Sequence, residues 1–188
     1  MPLYLIRHGK PATAWGEPDD DPGLDEAGKA QAIAVARRLM SLPADQRPRA
    51  VVSSPLRRCR ETAQPLADAL GAPVEIDSGV GEIPTPAALG AAERPGWLRS
   101  AFTGAWDEIQ GDIDYEAWRR RAASVVAKRE NTAIFSHFVA INAVVSVIRG
   151  DDRVIGFRPG HTSVTTLRVD DGALTLVSLG DEAETSVL

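Results

Sequence analysis

The stretch TAIFSHFVAINAVVSVIRG, residues 132–150, decides the reading of the fold. Thr132–Ser136 is a short run built around Ile134 and Phe135, which predicts a strand. It turns at once, at His137, into the apolar run Phe138–Arg149, a helix that Gly150 caps. A strand passing directly into a helix is the unit of an α/β fold, and other parts of the chain repeat it. Upstream, Ala50–Ser53 (AVVS) runs into Ser54-Pro55, which reads as an N-cap followed by proline at the first helical position. That helix continues through Ala63, Leu66, Ala67 and Leu70 and stops at Gly71. Pro2–Ile6 is an earlier strand that halts at Arg7. A helix begins near Asp25, whose carboxylate suits the N-cap, and Ala32, Val35, Ala36 and Leu39 form its apolar face before Pro43.

Pro73–Ile76 reads as a further strand and Tyr115–Lys128 as a further helix. Downstream, Val164–Val169 and Ala173–Leu179 flank Asp170-Asp171-Gly172, a hairpin signal. The expected architecture is a three-layer α/β/α sandwich with a mostly parallel central sheet and one antiparallel edge hairpin. Residues 1–188 are expected to form a single domain. Residues 79–115 show no clear period, and 79–118 is expected to form a small lid or a substrate segment.

Composition narrows the function classes. Of 188 residues, 44% are hydrophobic and 25% charged, a globular balance. The single cysteine, Cys59, excludes a disulfide framework and any multi-cysteine metal site, and three histidines leave little for a multi-histidine centre. A net charge of −5 argues against a general nucleic-acid binder. The partly apolar start before Arg7 is too short for a signal peptide, and no apolar stretch approaches the length of a membrane span. The expectation is a cytoplasmic protein with no nucleic-acid or membrane partner.

Three strands end in chemistry. Ile6 leads into Arg7-His8-Gly9, Ser53 into Ser54-Pro55-Leu56-Arg57-Arg58, and Ser136 into His137. Ligands of open α/β sheets collect outside the carboxyl ends of the strands, so Arg7, His8, Arg58 and His137 are expected along one rim. Helix N-termini at the same rim add positive ends. Two guanidinium forks with two imidazoles suit an anion with several oxygens, and phosphate is the best candidate.

The blocks Leu5-Ile6-Arg7-His8-Gly9, Leu24–Ala32, Ser53–Ala63 and Ser136-His137 together resemble the histidine phosphatase superfamily, in the branch that holds phosphoglycerate mutases and many small phosphatases. The resemblance implies that His8 attacks phosphorus and becomes a phosphohistidine. It further implies that Arg7 and Arg58 bind the phosphoryl oxygens, that His137 adds a donor, and that no metal or cofactor is needed. Glu82, in Gly81-Glu82-Ile83, stands where the family often keeps its proton donor; an ordinary loop glutamate is the other reading. The implied activity is hydrolysis of a phosphomonoester, carried by a phosphorylated small molecule or a phosphoprotein. A phospho-ligand binding module with weak turnover and a mutase are the alternatives. Substrate and oligomeric state are not legible.

Several residues carry two readings. His161 is either an ordinary histidine or a substrate-side group near the pocket. Cys59 is expected to be a small packing residue, and Arg57 and Arg60 to be surface or ion-pairing groups. Glu17–Asp21 and Arg119–Arg121 are expected to be solvated. Lys10, the absence of a mutase-type asparagine in Pro11–Trp15, a short middle segment and Phe138 depart from the family pattern; Phe138 is expected to add a bulky ring at the rim. Trp97, Phe102, Trp106 and Trp118 either pack a lid or line the pocket.

Overall fold

The computed structural model describes residues 1–13 and 21–183. Ala14, Trp15 and the acidic run up to Asp20 lie outside the described residues. One six-stranded sheet runs in the order β3-β2-β4-β1-β5-β6, with β1 Pro2–Arg7, β2 Ala50–Ser53, β3 Val74–Ile76, β4 Thr132–Ser136, β5 Val164–Asp170 and β6 Ala173–Ser178. Strands β3, β2, β4 and β1 are mutually parallel; β5 runs against β1, and β6 against β5. This is the expected sheet with its antiparallel hairpin at one edge.

The helices α1 (Glu26–Met40), α2 (Arg57–Leu70), α3 (Arg94–Phe102), α4 (Tyr115–Ala127) and α5 (Phe138–Arg149) complete the fold. Side chains alternate across each strand, which assigns the helices to faces. Leu3, Leu5 and Ile134 pack with Val126 of α4 and Ile141 and Val145 of α5. Tyr4, Ile6 and Phe135 face the other way, onto Val35 and Leu39 of α1 and Ala63 and Leu66 of α2. Both faces are covered, so the central strands have no polar side and read as apolar runs. Helix α5 is buried from Phe138 through Ser146, which is why its sequence is apolar nearly all round.

Local signals explain most element ends. Asp25 caps α1 by accepting the Gly28 N–H at 2.7 Å. Gly71 and Gly150 adopt left-handed φ values of 62° and 64° at the ends of α2 and α5. Helix α2 departs from expectation: it begins at Arg57, not Pro55, and Leu56 holds the cap position without a side-chain cap. The Ser54 hydroxyl is engaged 2.7 Å from His137 Nε2, and Asp21 Oδ1 accepts the Arg57 N–H at 2.7 Å in its place.

Residues 79–118 resolve into pieces too short to show a period. Two three-residue 3-10 turns, Ser78–Val80 and Trp106–Glu108, flank α3. Ile83, Leu98, Trp106 and Tyr115 pack on Phe138, Val139 and Ala143 of α5 as a third apolar cluster, with Trp97, Phe102 and Trp118 against it. Arg119 corrects the expectation of a wet face. It is buried, pairs with Glu116 at 2.6 Å and Asp152 at 3.0 Å, and donates to the Asp151 carbonyl at 2.7 Å. Arg120 and Arg121 are exposed. Among the described residues, no helix is long and apolar enough to cross a membrane.

Candidate active site

The carboxyl ends of β1, β4 and β2 bring the four rim residues together. Register pairs Arg7 with Ser136, and the His8 N–H donates to the Ser136 carbonyl at 3.0 Å, so the His8 backbone is held beside the start of His137. On the other side, the Arg7 N–H donates to Ser163 O and Arg7 O accepts from Thr162 N, tying β1 to the loop before β5. Gly9 passes so close to α1 that an added Cβ would lie 2.8 Å from the Gly28 carbonyl oxygen, which requires glycine after the histidine. The Gly9 N–H donates to Thr62 Oγ1 at 2.9 Å, and that hydroxyl donates to Arg58 O at 2.6 Å, locking β1 to the first turns of α2. Thr62 lies one helical turn after Arg58, and that spacing was its available signal.

His8 and His137 are buried, with ring centroids 5.3 Å apart. His8 Nδ1 lies 2.8 Å from its neighbour's carbonyl, Gly9 O. A carbonyl only accepts, so Nδ1 carries the proton and Nε2 keeps its lone pair. That lone pair accepts from Arg58 Nε at 3.3 Å. The other arm of the same guanidinium, Nη2, stands 3.3 Å from His137 Nδ1 and 3.7 Å from Glu82 Oε2. Glu82 Oε2 is 3.5 Å from His137 Nδ1. Arg58 is therefore the hub that joins both imidazoles and the carboxylate.

Arg7 donates to the Pro159 carbonyl at 2.9 Å, while its buried Nε has no hydrogen-bond partner among the described residues. Its guanidinium lies over the Phe138 ring, 5.3 Å from the centroid, and Phe102 stacks on Phe138 at 5.6 Å. Phe138 is thus not a ring added at the rim. It is buried and forms the floor beneath Arg7, a contact that tripeptide matching does not reveal. Glu82 reaches the site because its loop is anchored: Ser136 Oγ donates to Val80 O at 2.7 Å, and Glu82 Oε1 accepts the Ile83 N–H at 3.0 Å. His161 is half-buried, its ring 5.8 Å from that of His8, so it joins the same cluster.

Electrostatics separate the roles these groups can take. Burial, then His137, Arg58 and Arg7, hold the His8 pKa well below the usual imidazole value. Burial and the two arginines do the same to His137. Burial, with Arg7 beside it, brings His161 down to about 4. All three rings are neutral near pH 7, the form in which an imidazole can be a nucleophile. Burial raises the Glu82 carboxyl above its ordinary value, against the pull of Arg58 and Arg7. Burial also lowers Arg7 to about 10, which leaves it charged at neutral pH. Cys59 is buried and its thiol pushed up by desolvation, as a packing residue should be. Arg57 pairs with Glu61 at 2.7 Å and Lys10 with Asp25 at 2.9 Å, the charges of the second pair reaching His161. Among the described residues no three His, Cys, Asp or Glu side chains are grouped to hold a metal ion.

The arrangement is a nucleophilic lone pair, two guanidinium groups, a second imidazole and a carboxyl group biased towards its protonated form, all on one rim. A family model described as "Histidine phosphatase superfamily (branch 1)" matches residues 3–182. A probable phosphoglycerate mutase, GpmB, of Erwinia tasmaniensis is 32% identical over 169 residues, covering 80% of this chain and 75% of that protein. The transcription factor tau 55 kDa subunit of Saccharomyces cerevisiae is 38% identical over 141 residues, 63% of this chain; the match spans only 32% of that protein's length. Among solved structures, a phosphoserine phosphatase from Entamoeba histolytica in complex with 3-phosphoglyceric acid superposes with a TM-score of 0.74. It is 24% identical, covering 96% of both chains, a likeness of fold.

Proposed function

The chain belongs to the histidine phosphatase superfamily, and from that premise we propose that it hydrolyses a phosphomonoester without a metal, through a phosphohistidine on His8. The observation that carries this is the His8 ring: Nδ1 tied to Gly9 O, and Nε2 left with its lone pair facing Arg58. Arg7 and Arg58 bind the phosphoryl oxygens, and His137 donates a further hydrogen bond. His8 Nε2 attacks phosphorus, the P–O ester bond breaks, and the leaving oxygen takes the Glu82 proton. Water then attacks phosphorus and gives its proton to the Glu82 carboxylate; the P–N bond breaks, its electron pair returns to His8 Nε2, and phosphate leaves. Each donor aimed at the phosphoryl oxygens is worth about 10²–10³ in rate. The substrate is a phosphorylated small molecule or a phosphoprotein, with His161 on its side of the pocket.

The mutase names among the relatives favour a second reading, in which the phosphoryl group returns to another hydroxyl of the substrate. One experiment separates the readings. An aryl phosphate is offered in the presence of chelator, and acid-labile phosphate on the protein is followed by rapid quench. Hydrolysis that survives chelator, with label that turns over and is lost in His8→Ala, is the expected result. A long-lived label with little hydrolysis supports the mutase. Phosphate binding with no label at all supports a binding module. Full activity in His8→Ala overturns the proposal.

A further inference from the structure

The proposed reaction asks His137 to donate to phosphoryl oxygens, and the groups around its other ring nitrogen decide whether it can. Ser54 is fully buried just past the end of β2. Its Oγ lies 2.7 Å from His137 Nε2 and accepts the Leu56 N–H at 3.3 Å. A hydroxyl has one proton to give, and a buried one needs an acceptor. An unprotonated Nε2 is a good acceptor. The alternative, Cys59 Sγ, is a weak one, and the Cys59 thiol is itself directed at the Ser136 carbonyl at 3.4 Å.

A neutral imidazole carries one ring proton, so a Nε2 that accepts from Ser54 puts that proton on Nδ1. Nδ1 is the nitrogen on the reacting side, 3.5 Å from Glu82 Oε2 and 3.3 Å from Arg58 Nη2. Arg58 Nη2 is a pure donor, so with the proton on Nδ1 it gives up its 3.3 Å approach to that nitrogen and turns to the Glu82 carboxyl oxygen, 3.7 Å away. We propose that Ser54 is a positioning residue, whose hydroxyl donates to His137 Nε2 and keeps the ring proton on Nδ1, aimed at the transferred phosphoryl group. The direction of that proton rests on the phosphatase reading; the tautomer itself does not. The same engagement explains why Ser54 does not cap α2.

The test is long-range proton–nitrogen NMR of the histidine rings, tractable because the chain has three histidines. Wild type is expected to show His137 protonated at Nδ1, both free and with inorganic phosphate. Ser54→Ala is expected to lose that preference, and Ser54→Thr, which keeps a hydroxyl, to retain it. Steady-state rates on an aryl phosphate should fall about 10²-fold in kcat for Ser54→Ala, as for one lost donor, with KM little changed. If Ser54→Ala does not fold, Ser54→Cys, a weak donor of similar size, takes its place. A wild type protonated at Nε2, or a Ser54→Ala ring unchanged at Nδ1, overturns the proposal. Ring signals that ignore phosphate and vanadate while Nδ1–H persists would remove the phosphatase reading and leave the Ser54 assignment standing.

Discussion

Glu82 and His8 divide acid from base by environment alone. The same burial raises the carboxyl pKa and depresses the imidazole, so it biases one towards holding its proton and the other towards lacking one. A phosphate dianion in the site pushes Glu82 further in the same direction. The proton donor is active below its folded pKa, so kcat should decline as pH rises through that value. Glu82→Gln should remove this alkaline limb and lower kcat by about 10²–10⁴-fold. The loss should be largest for alkyl phosphates and smallest for aryl phosphates, whose leaving oxygen needs no proton. A pH–rate series on both substrate types checks it; equal losses on both would exclude Glu82 as the donor. The histidines and arginines of this site were legible because each directly follows a strand or sits in a matching block. The Ser54–His137 and Phe138–Arg7 contacts were not, because they join residues distant in sequence through side chains whose direction no pattern records.

Phe138 links two elements, carrying Arg7 on one side of its ring and Phe102 of α3 on the other. Phe138→Ala should cost about 3–5 kcal/mol in urea denaturation, the range for emptying a buried aromatic site. It should also weaken vanadate binding, because Arg7 loses its floor; Phe102→Ala should cost less on both counts. Unchanged vanadate affinity in Phe138→Ala would detach the ring from the site. Elements were readable where one rule dominates over several residues. The strands AVVS and TAIFS and the buried helix α5 are such cases. Helix α3 and its flanking 3-10 turns were not, since nine residues and two short turns give no period. Arg119 was missed for a different reason. It shares a helix face with buried Tyr115, Ala122 and Val126, and a triple-arginine run drew attention from that spacing.

At the level of the whole molecule, the net charge of −5 conceals a core that resists protonation. All three imidazoles have depressed values in the folded state, His161 at about 4. Unfolded, each titrates near 6.5. Below that pH the unfolded chain binds more protons than the folded one, so stability should fall as pH drops from about 6.5, His161 contributing down to about 4. Glu82 works in the opposite sense, one group against three. Melting temperatures across pH 7 to 5 should show this decline, and His161→Asn should shallow it. Saturating phosphate should raise the melting temperature, by the equivalent of about 2.7 kcal/mol at a hundredfold excess over Kd. A melting temperature flat over that range would contradict the buried neutral rings.

The sheet order carries one more consequence, for the time course of folding. β1 precedes every other strand in the chain, yet its two neighbours, β4 and β5, come from residues 132–136 and 164–170. The strand that leads into His8 therefore has no partner on either edge until residue 136 has been synthesised, and none on its β5 edge until residues 164–170 follow. Such distant pairings pay their loop-closure entropy before any contact rewards them, which slows folding. Meanwhile Leu3, Tyr4, Leu5 and Ile6 form an exposed apolar edge on the growing chain. Chains released at about residue 150 contain β4 but lack β5, so they should leave that second edge of β1 open permanently and aggregate, and the nucleophile should be among the last groups to reach its working position.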